Sequence, residues 1–163
     1  MSRIDHSRSV VVVGAGLVGC VLALGLKRRG FDVVVYERRA APRVAGISGG
    51  RSINLALSDR GMLGLEAAGL TDDVESVAIA MPGRRMHGKD GSDTFMPYGL
   101  NGEAIRSVSR GGLNLALMTS CERAGVPIHF GHRCERLDLA STSITFGTDT
   151  GSVVIDAGVI AGA

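Results

Sequence analysis

The sequence predicts an α/β fold built on a parallel sheet, and three features carry the prediction. Ser9-Val10-Val11-Val12-Val13 runs straight into Gly14, the pattern of a strand buried on both faces of a parallel sheet. Leu17 to Arg29 follows with apolar residues at helical spacing, Leu17, Val21 and Leu24 among them, and ends in Lys27-Arg28-Arg29 before Gly30. Those cations suit the negative carboxyl end of a helix, and a glycine suits its stop. Val33-Val34-Val35-Tyr36 then reads as a second buried strand, ending at Glu37. Strand, helix and strand within about thirty residues is the length of one right-handed crossover between parallel strands.

Bulk properties bound the rest. A chain of 163 residues suffices for one domain, which at this size buries about two-thirds of its unfolded surface. Hydrophobic residues at 45% and charged residues at 21% exclude a disordered or fibrous chain. A formal charge of +2 is too small for a nucleic-acid or anionic-membrane partner, which a dense basic face would announce. Cys20, Cys121 and Cys134 have no metal-like spacing, so buried, reduced thiols in an intracellular chain are expected. Met1 to Arg8 is polar and too short for a signal peptide, and no apolar run is long enough for a membrane span. The expected compartment is the cytoplasm.

Beyond Glu37 the elements are shorter. Arg38 to Ser52, with Pro42 and three glycines, reads as a loop, and Leu55 to Leu70 as a helix ending near Gly69. Arg84-Arg85-Met86-His87 and Thr94-Phe95-Met96 flank an Asp90-Gly91 turn, which predicts a β-hairpin. Leu113 to Ala124 is helical, with Leu113, Leu117, Cys121 and Ala124 on one face. Val126-Pro127-Ile128-His129-Phe130 is a strand whose proline favours its beginning or a sheet edge. Short strands and turns fill the last forty or so residues, closing on Ala157 to Ala163 as an apolar, central strand.

Gly14-Ala15-Gly16-Leu17-Val18-Gly19 is a G-x-G-x-x-G turn set between a strand and a helix, the context that gives the motif meaning. Gly14 permits the tight turn, Gly16 lets backbone approach a pyrophosphate, and Gly19 lets helix and strand pack closely. The anion sits at the positive helix end, where N–H groups point outward. Glu37, at the tip of the second strand, can accept from ribose hydroxyls. The motif does not separate FAD from NAD. The four histidines, His6, His87, His129 and His132, show no ligand spacing with carboxylates or cysteines, and His129 and His132 read as surface or strand-end residues. No nucleophile elbow is present, so a hydrolase is not indicated.

Two longer motifs say more. Gly50-Arg51-Ser52-Ile53-Asn54-Leu55-Ala56-Leu57-Ser58-Asp59-Arg60-Gly61 and Ser107-Val108-Ser109-Arg110-Gly111-Gly112-Leu113-Asn114, with Tyr36-Glu37-Arg38-Arg39 and Met96-Pro97-Tyr98-Gly99, closely resemble the kynurenine 3-monooxygenase family of FAD-dependent aromatic hydroxylases. The resemblance runs from about Val10 to Ala163. It implies a Rossmann-like FAD-binding domain, with residues from about 77 to 110 beginning a substrate-side β layer. It also implies that Val18, Tyr36, Glu37, Arg38 and Arg39 line the adenosine and pyrophosphate side of FAD, that Ala56 faces the cofactor, and that Arg110 reaches its phosphate–ribityl region. Cys134 falls where the family places a residue beside the adenine, which implies a contact through its backbone atoms.

Arg84 and Tyr98 match the family's residues for the substrate carboxylate and its surroundings. A hairpin turn centred on Gly91 would make them cross-strand partners on one face; a turn centred between Asp90 and Gly91 would turn one of them away. Arg85 stands where the family has an apolar residue, which leaves open which arginine meets the substrate. The implied activity is hydroxylation of L-kynurenine beside its ring amino group, with NADPH as reductant and O2 as co-substrate, and without a side-chain nucleophile. Family members continue the last strand into Asp-Gly and a later Gly-Asp motif. The expectation is therefore of a truncated chain, binding FAD weakly, without turnover alone, and with exposed apolar faces. A phenol- or benzoate-type hydroxylase and a non-catalytic dinucleotide-binding module are the alternatives.

Overall fold

In the computed structural model, which describes residues 9–42 and 54–163, the opening crossover forms as its sequence dictates. β1 (Ser9–Val13), α1 (Leu17–Arg28) and β2 (Asp32–Glu37) follow one another, and β1 pairs in parallel with β2, Val12 opposite Val35. α1 ends because Gly30 takes a φ of 81°. That left-handed turn lets the Phe31 N–H reach back to the Leu26 carbonyl at 3.2 Å and the Gly30 N–H to Lys27 at 3.0 Å, satisfying carbonyls the helix leaves open.

Two later strands complete this sheet. β8 (Ile128–Phe130) joins β2 and β12 (Val159–Gly162) joins β1, both in parallel, giving the order β12-β1-β2-β8. Pro127 stands just before β8, where its carbonyl accepts from the Val35 N–H at 2.9 Å and its missing N–H is not needed at an edge. β12, expected as a central strand, is an edge of the described sheet: no described residue pairs along its other side.

Pleating splits this sheet's side chains between two layers. Val11 and Tyr36, with Val13, Val34 and Ile160, pack against Ile144 and Phe146. Those two belong to β10 (Ser143–Thr148) of an antiparallel sheet ordered β11-β10-β9, with β9 at Arg133–Asp138 and β11 at Gly151–Asp156. Val10, Val12, Val33 and Val35 alternate onto the opposite face and are equally buried. That face is left for α1, whose Cys20, Ala23 and Leu24 are buried. Each large side chain so enclosed is worth about 1.5–3 kcal/mol.

The chain divides into two compact units, residues 1–48 with 114–163 and residues 49–113. The second holds β3 (Asn54–Leu57), α2 (Asp59–Ala67), α3 (Thr71–Glu75), β4 (Ala78–Met81), the hairpin β5 (Gly83–His87) and β6 (Asp93–Pro97), and β7 (Ile105–Ser109). The boundary falls within α4 (Arg110–Arg123). β3, β7 and β4 form an antiparallel sheet in that order.

The helix expected from Leu55 to Leu70 is therefore corrected. Asn54-Leu55-Ala56-Leu57 alternates exposed and half-buried, and its pairing with β7, Ala56 opposite Ser107, overrides the helical preference of Leu and Ala. The helix starts only after Ser58, whose backbone is still extended, and Gly69 closes it before α3. Most of the loop expected over residues 38–52 lies outside the described residues, as do Gly50 to Ile53 of the first long motif. Among the described residues no helix is long and apolar enough to cross a membrane.

Candidate functional site

The three glycines of the opening loop are required for three different reasons. Gly14 has a φ of 114°, donates its N–H to the Tyr36 carbonyl at 2.8 Å, and has the Ala163 carbonyl oxygen where a Cβ would stand. A Cβ on Gly19 would collide with the Gly14 carbonyl. Both positions are filled by the protein itself. Gly16, which precedes α1 with extended backbone, has no described residue within 4 Å of a Cβ position. Its open side is the one through which a pyrophosphate could approach the backbone, and on this point the residues present fit the group. The helix end is otherwise ready for an anion: no side chain caps it, no acidic residue lies in its first turn, and Val18 there is 70% exposed.

Glu37 closes the loop from the side. Only 4% exposed, its carboxylate accepts from the Ala15 N–H at 2.8 Å, from the Arg39 N–H at 2.9 Å and from Arg39 Nε at 2.8 Å. Burial alone would raise its pKa; the bonds from Arg39 and from the Ala15 N–H outweigh burial and hold the carboxyl below its ordinary value. The same pairing raises Arg39 further. Arg38 is exposed. The Tyr36 ring, by contrast, lies in the core, stacked on Phe146 at 4.4 Å and on His129 at 4.9 Å. What Tyr36 offers the loop is its carbonyl.

Around Tyr36 the structure assembles a group not legible in the sequence. The His132 ring sits 5.2 Å from the Tyr36 ring and 5.8 Å from that of His129, and the His132 backbone N–H donates to the Glu37 carbonyl at 2.9 Å. The imidazole Nδ1 lies 2.8 Å from the Phe130 carbonyl, so Nδ1 carries the proton in that bond. The only signal available in sequence was the His-x-x-His run at the end of a strand. Cys134, on β9 opposite Phe146, is exposed rather than buried, whereas Cys20 and Cys121 are buried as expected. The Cys121 thiol donates to the Cys20 carbonyl at 3.7 Å and that of Cys20 to the Ala15 carbonyl at 3.6 Å. The neighbouring Cys121 thiol and burial push the Cys20 thiol far up, out of reactive range.

In the second unit, Ala56 is exposed on β3. Arg110 opens α4 behind Ser109, whose hydroxyl accepts from the Gly112 N–H at 3.3 Å, the usual N-cap arrangement. The hairpin turn is centred on Asp90, with Arg84 opposite Met96. Neither register considered from sequence is adopted. The Asp90 carboxylate accepts from the Ser92 N–H at 3.0 Å and hydroxyl at 2.7 Å, inside a turn closed by the Gly88 N–H on the Ser92 carbonyl at 2.8 Å. Tyr98, whose N–H donates to the Pro82 carbonyl at 3.0 Å, is thus a diagonal rather than a direct neighbour of Arg84, still on the same face.

The hairpin's two faces differ in charge. On one, Arg85 pairs with Asp93 at 2.7 Å, with His87 at 3.7 Å from the same carboxylate. On the other, Arg84 meets only the Met96 sulfur among the described residues, at 3.8 Å, beside exposed Met86 and Tyr98.

Comparison with known proteins agrees with this construction. Residues 7–162 match the family described as FAD binding domain. The chain is 46% identical over 132 residues to a kynurenine 3-monooxygenase of Xanthomonas axonopodis pv. citri, covering 80% of this chain and 29% of that protein. It is 44% identical to one of Stenotrophomonas maltophilia, covering 81% and 29%. It thus spans about 30% of the length of these curated relatives. Among solved structures, p-nitrophenol 4-monooxygenase of Pseudomonas putida superposes with a TM-score of 0.78 at 21% identity, over 96% of this chain and 40% of that one, a likeness of fold. The oxygenase of 2-methyl-3-hydroxypyridine-5-carboxylic acid gives 0.73 at 26% identity, over 94% and 38%. With nearly its whole length matched and a glycine loop, a buried acid and a parallel sheet to account for the match, the chain belongs to the FAD binding domain family.

Proposed function

We propose that this chain is the FAD-binding part of an FAD- and NADPH-dependent monooxygenase that hydroxylates the aromatic ring of L-kynurenine. The observation that carries the reading is Glu37 held 2.8 Å from the Ala15 N–H, beside the uncapped start of α1 and the open side of Gly16. The loop N–H groups receive the pyrophosphate, and Glu37 receives the ribose diol of the adenosine. Arg39 now fills much of the carboxylate's accepting capacity, and with 51% of its side chain exposed it is free to yield that place or share it. Arg110 is a cation at the amino end of a helix, where the backbone dipole disfavours it by about 0.3–1 kcal/mol. A phosphate bound there converts that cost into a gain.

The substrate reading rests on charge. Arg85 is neutralised by Asp93, so Arg84 is the guanidinium available to a carboxylate, with Tyr98 and two methionines to cover an aromatic ring on the same face. When bound, FAD supplies the oxygen-activating chemistry, with NADPH as the electron source and O2 as co-substrate. The protein's part is to bind, orient and exclude water. Two measurements test the reading: quenching of flavin fluorescence on titrating FAD into the purified protein, and NADPH oxidation by the protein carrying this chain with kynurenine or p-nitrophenol added. Stimulation by kynurenine alone supports it. Stimulation by the phenol alone moves the assignment to a phenol hydroxylase, and adenine nucleotide binding without flavin binding moves it to a non-catalytic module.

A further inference from the structure

We propose that Asn114 is a further cofactor-binding residue, its side-chain carbonyl accepting a hydrogen bond from a hydroxyl of the ribityl chain of FAD. The proposal rests on the FAD reading above. Asn114 Oδ1 is buried and has no hydrogen-bond partner among the described residues. Folded proteins seldom leave a buried acceptor unmet, because its desolvation is then uncompensated. An asparagine with a purely structural role would close its bond within the fold; among the described residues this one does not.

Its position says where the donor comes from. Asn114 lies three and seven residues before Leu117 and Cys121, on the buried stripe of α4. Cys121 donates to the carbonyl of Cys20, the residue after Gly19, so that stripe is turned toward the first turns of α1. Asn114 stands about 10 Å nearer the amino end of α4 than Cys121 and one turn after Arg110. A chain leaving the pyrophosphate at the α1 end would run along this stripe. The chemistry selects which part of the ligand meets it. The orphan atom only accepts, and an ionised pyrophosphate offers acceptors alone, whereas ribityl hydroxyls can donate.

The test compares the purified protein with Asn114→Leu, which is close in volume, and Asn114→Ala, which cannot clash. Binding of FAD is measured by fluorescence titration and binding of ADP, which has no ribityl chain, by calorimetry; melting is followed without ligand. Both variants are expected to bind FAD about tenfold more weakly and ADP unchanged, and Asn114→Leu to melt no lower than the unsubstituted protein. FAD and ADP weakened together, or FAD affinity unchanged in both variants, overturns the proposal. If the unsubstituted protein binds ADP but not FAD, the cofactor reading falls first and the proposal with it.

Discussion

Replacing Glu37 by alanine should cost the protein far more than replacing its ion-pair partner, and the structure says by how much. Glu37 and Arg39 form a salt bridge at 2.8 Å, but the Arg39 side chain is 51% exposed, and pairs so open to water contribute about 0–1 kcal/mol. Arg39→Ala should stay within that range. Ala15 is different: it is fully buried, and the Glu37 carboxylate is the partner of its N–H. Removing the carboxylate orphans a buried donor at about 1–3 kcal/mol, so Glu37→Ala should lose about 2–3 kcal/mol in all. At about 2–4 °C per kcal/mol for a chain of this size, melting should fall by about 5–10 °C. Glu37→Gln keeps an oxygen for Ala15 and should recover more than half of the loss. Urea unfolding at pH 7 of the three variants checks this order. If glutamine costs as much as alanine, or Arg39→Ala as much as Glu37→Ala, charge pairing rather than satisfaction of the loop N–H holds the turn and the reasoning is wrong.

Other consequences follow from the same geometry. Because the folded pKa of Glu37 lies below its ordinary value of 4.5, its contribution is complete above that pH and lost as pH falls through the folded value; the stability difference between the protein and Glu37→Gln should therefore shrink steadily below about pH 4.5, as urea midpoints across pH 3–7 will show. Gly16→Ala, in open space with ordinary φ, should leave melting within about 1–2 °C yet weaken FAD at least tenfold by fluorescence titration, since its Cβ enters the ligand's space. Gly19→Ala, facing the Gly14 carbonyl, should instead lower soluble yield or melting sharply, readable by calorimetry. In the protein carrying this chain, Arg84→Met should raise KM for kynurenine about tenfold or more, and Arg85→Met, whose charge Asp93 already answers, by less than about threefold.

What could be read in advance, and what could not, divides by the range of the interactions involved. β1, α1, β2 and Glu37 lie within one crossover, where apolar runs, a glycine turn and helix-end cations all point to the same structure, and their bounds came out within a residue of those expected. Leu55-Ala56-Leu57 misled because local preference was set against a partner strand, β7, far along the chain, and such pairing leaves no mark on the residues nearby. The hairpin was visible but its register was not: the turn is centred on Asp90, whose carboxylate accepts from Ser92, and a shift of one residue decides which side chains meet. Tyr36, His129 and Phe146 come from three separate strands and His132 from the connection between β8 and β9, and they converge only when β8 and the antiparallel sheet close on β2. The glycines carry the sharpest lesson. G-x-G-x-x-G reads as three equivalent letters, yet two of them are enforced by neighbouring backbone and one by nothing among the described residues; between a buried strand and a helix start, that open side is where the backbone can meet an anion.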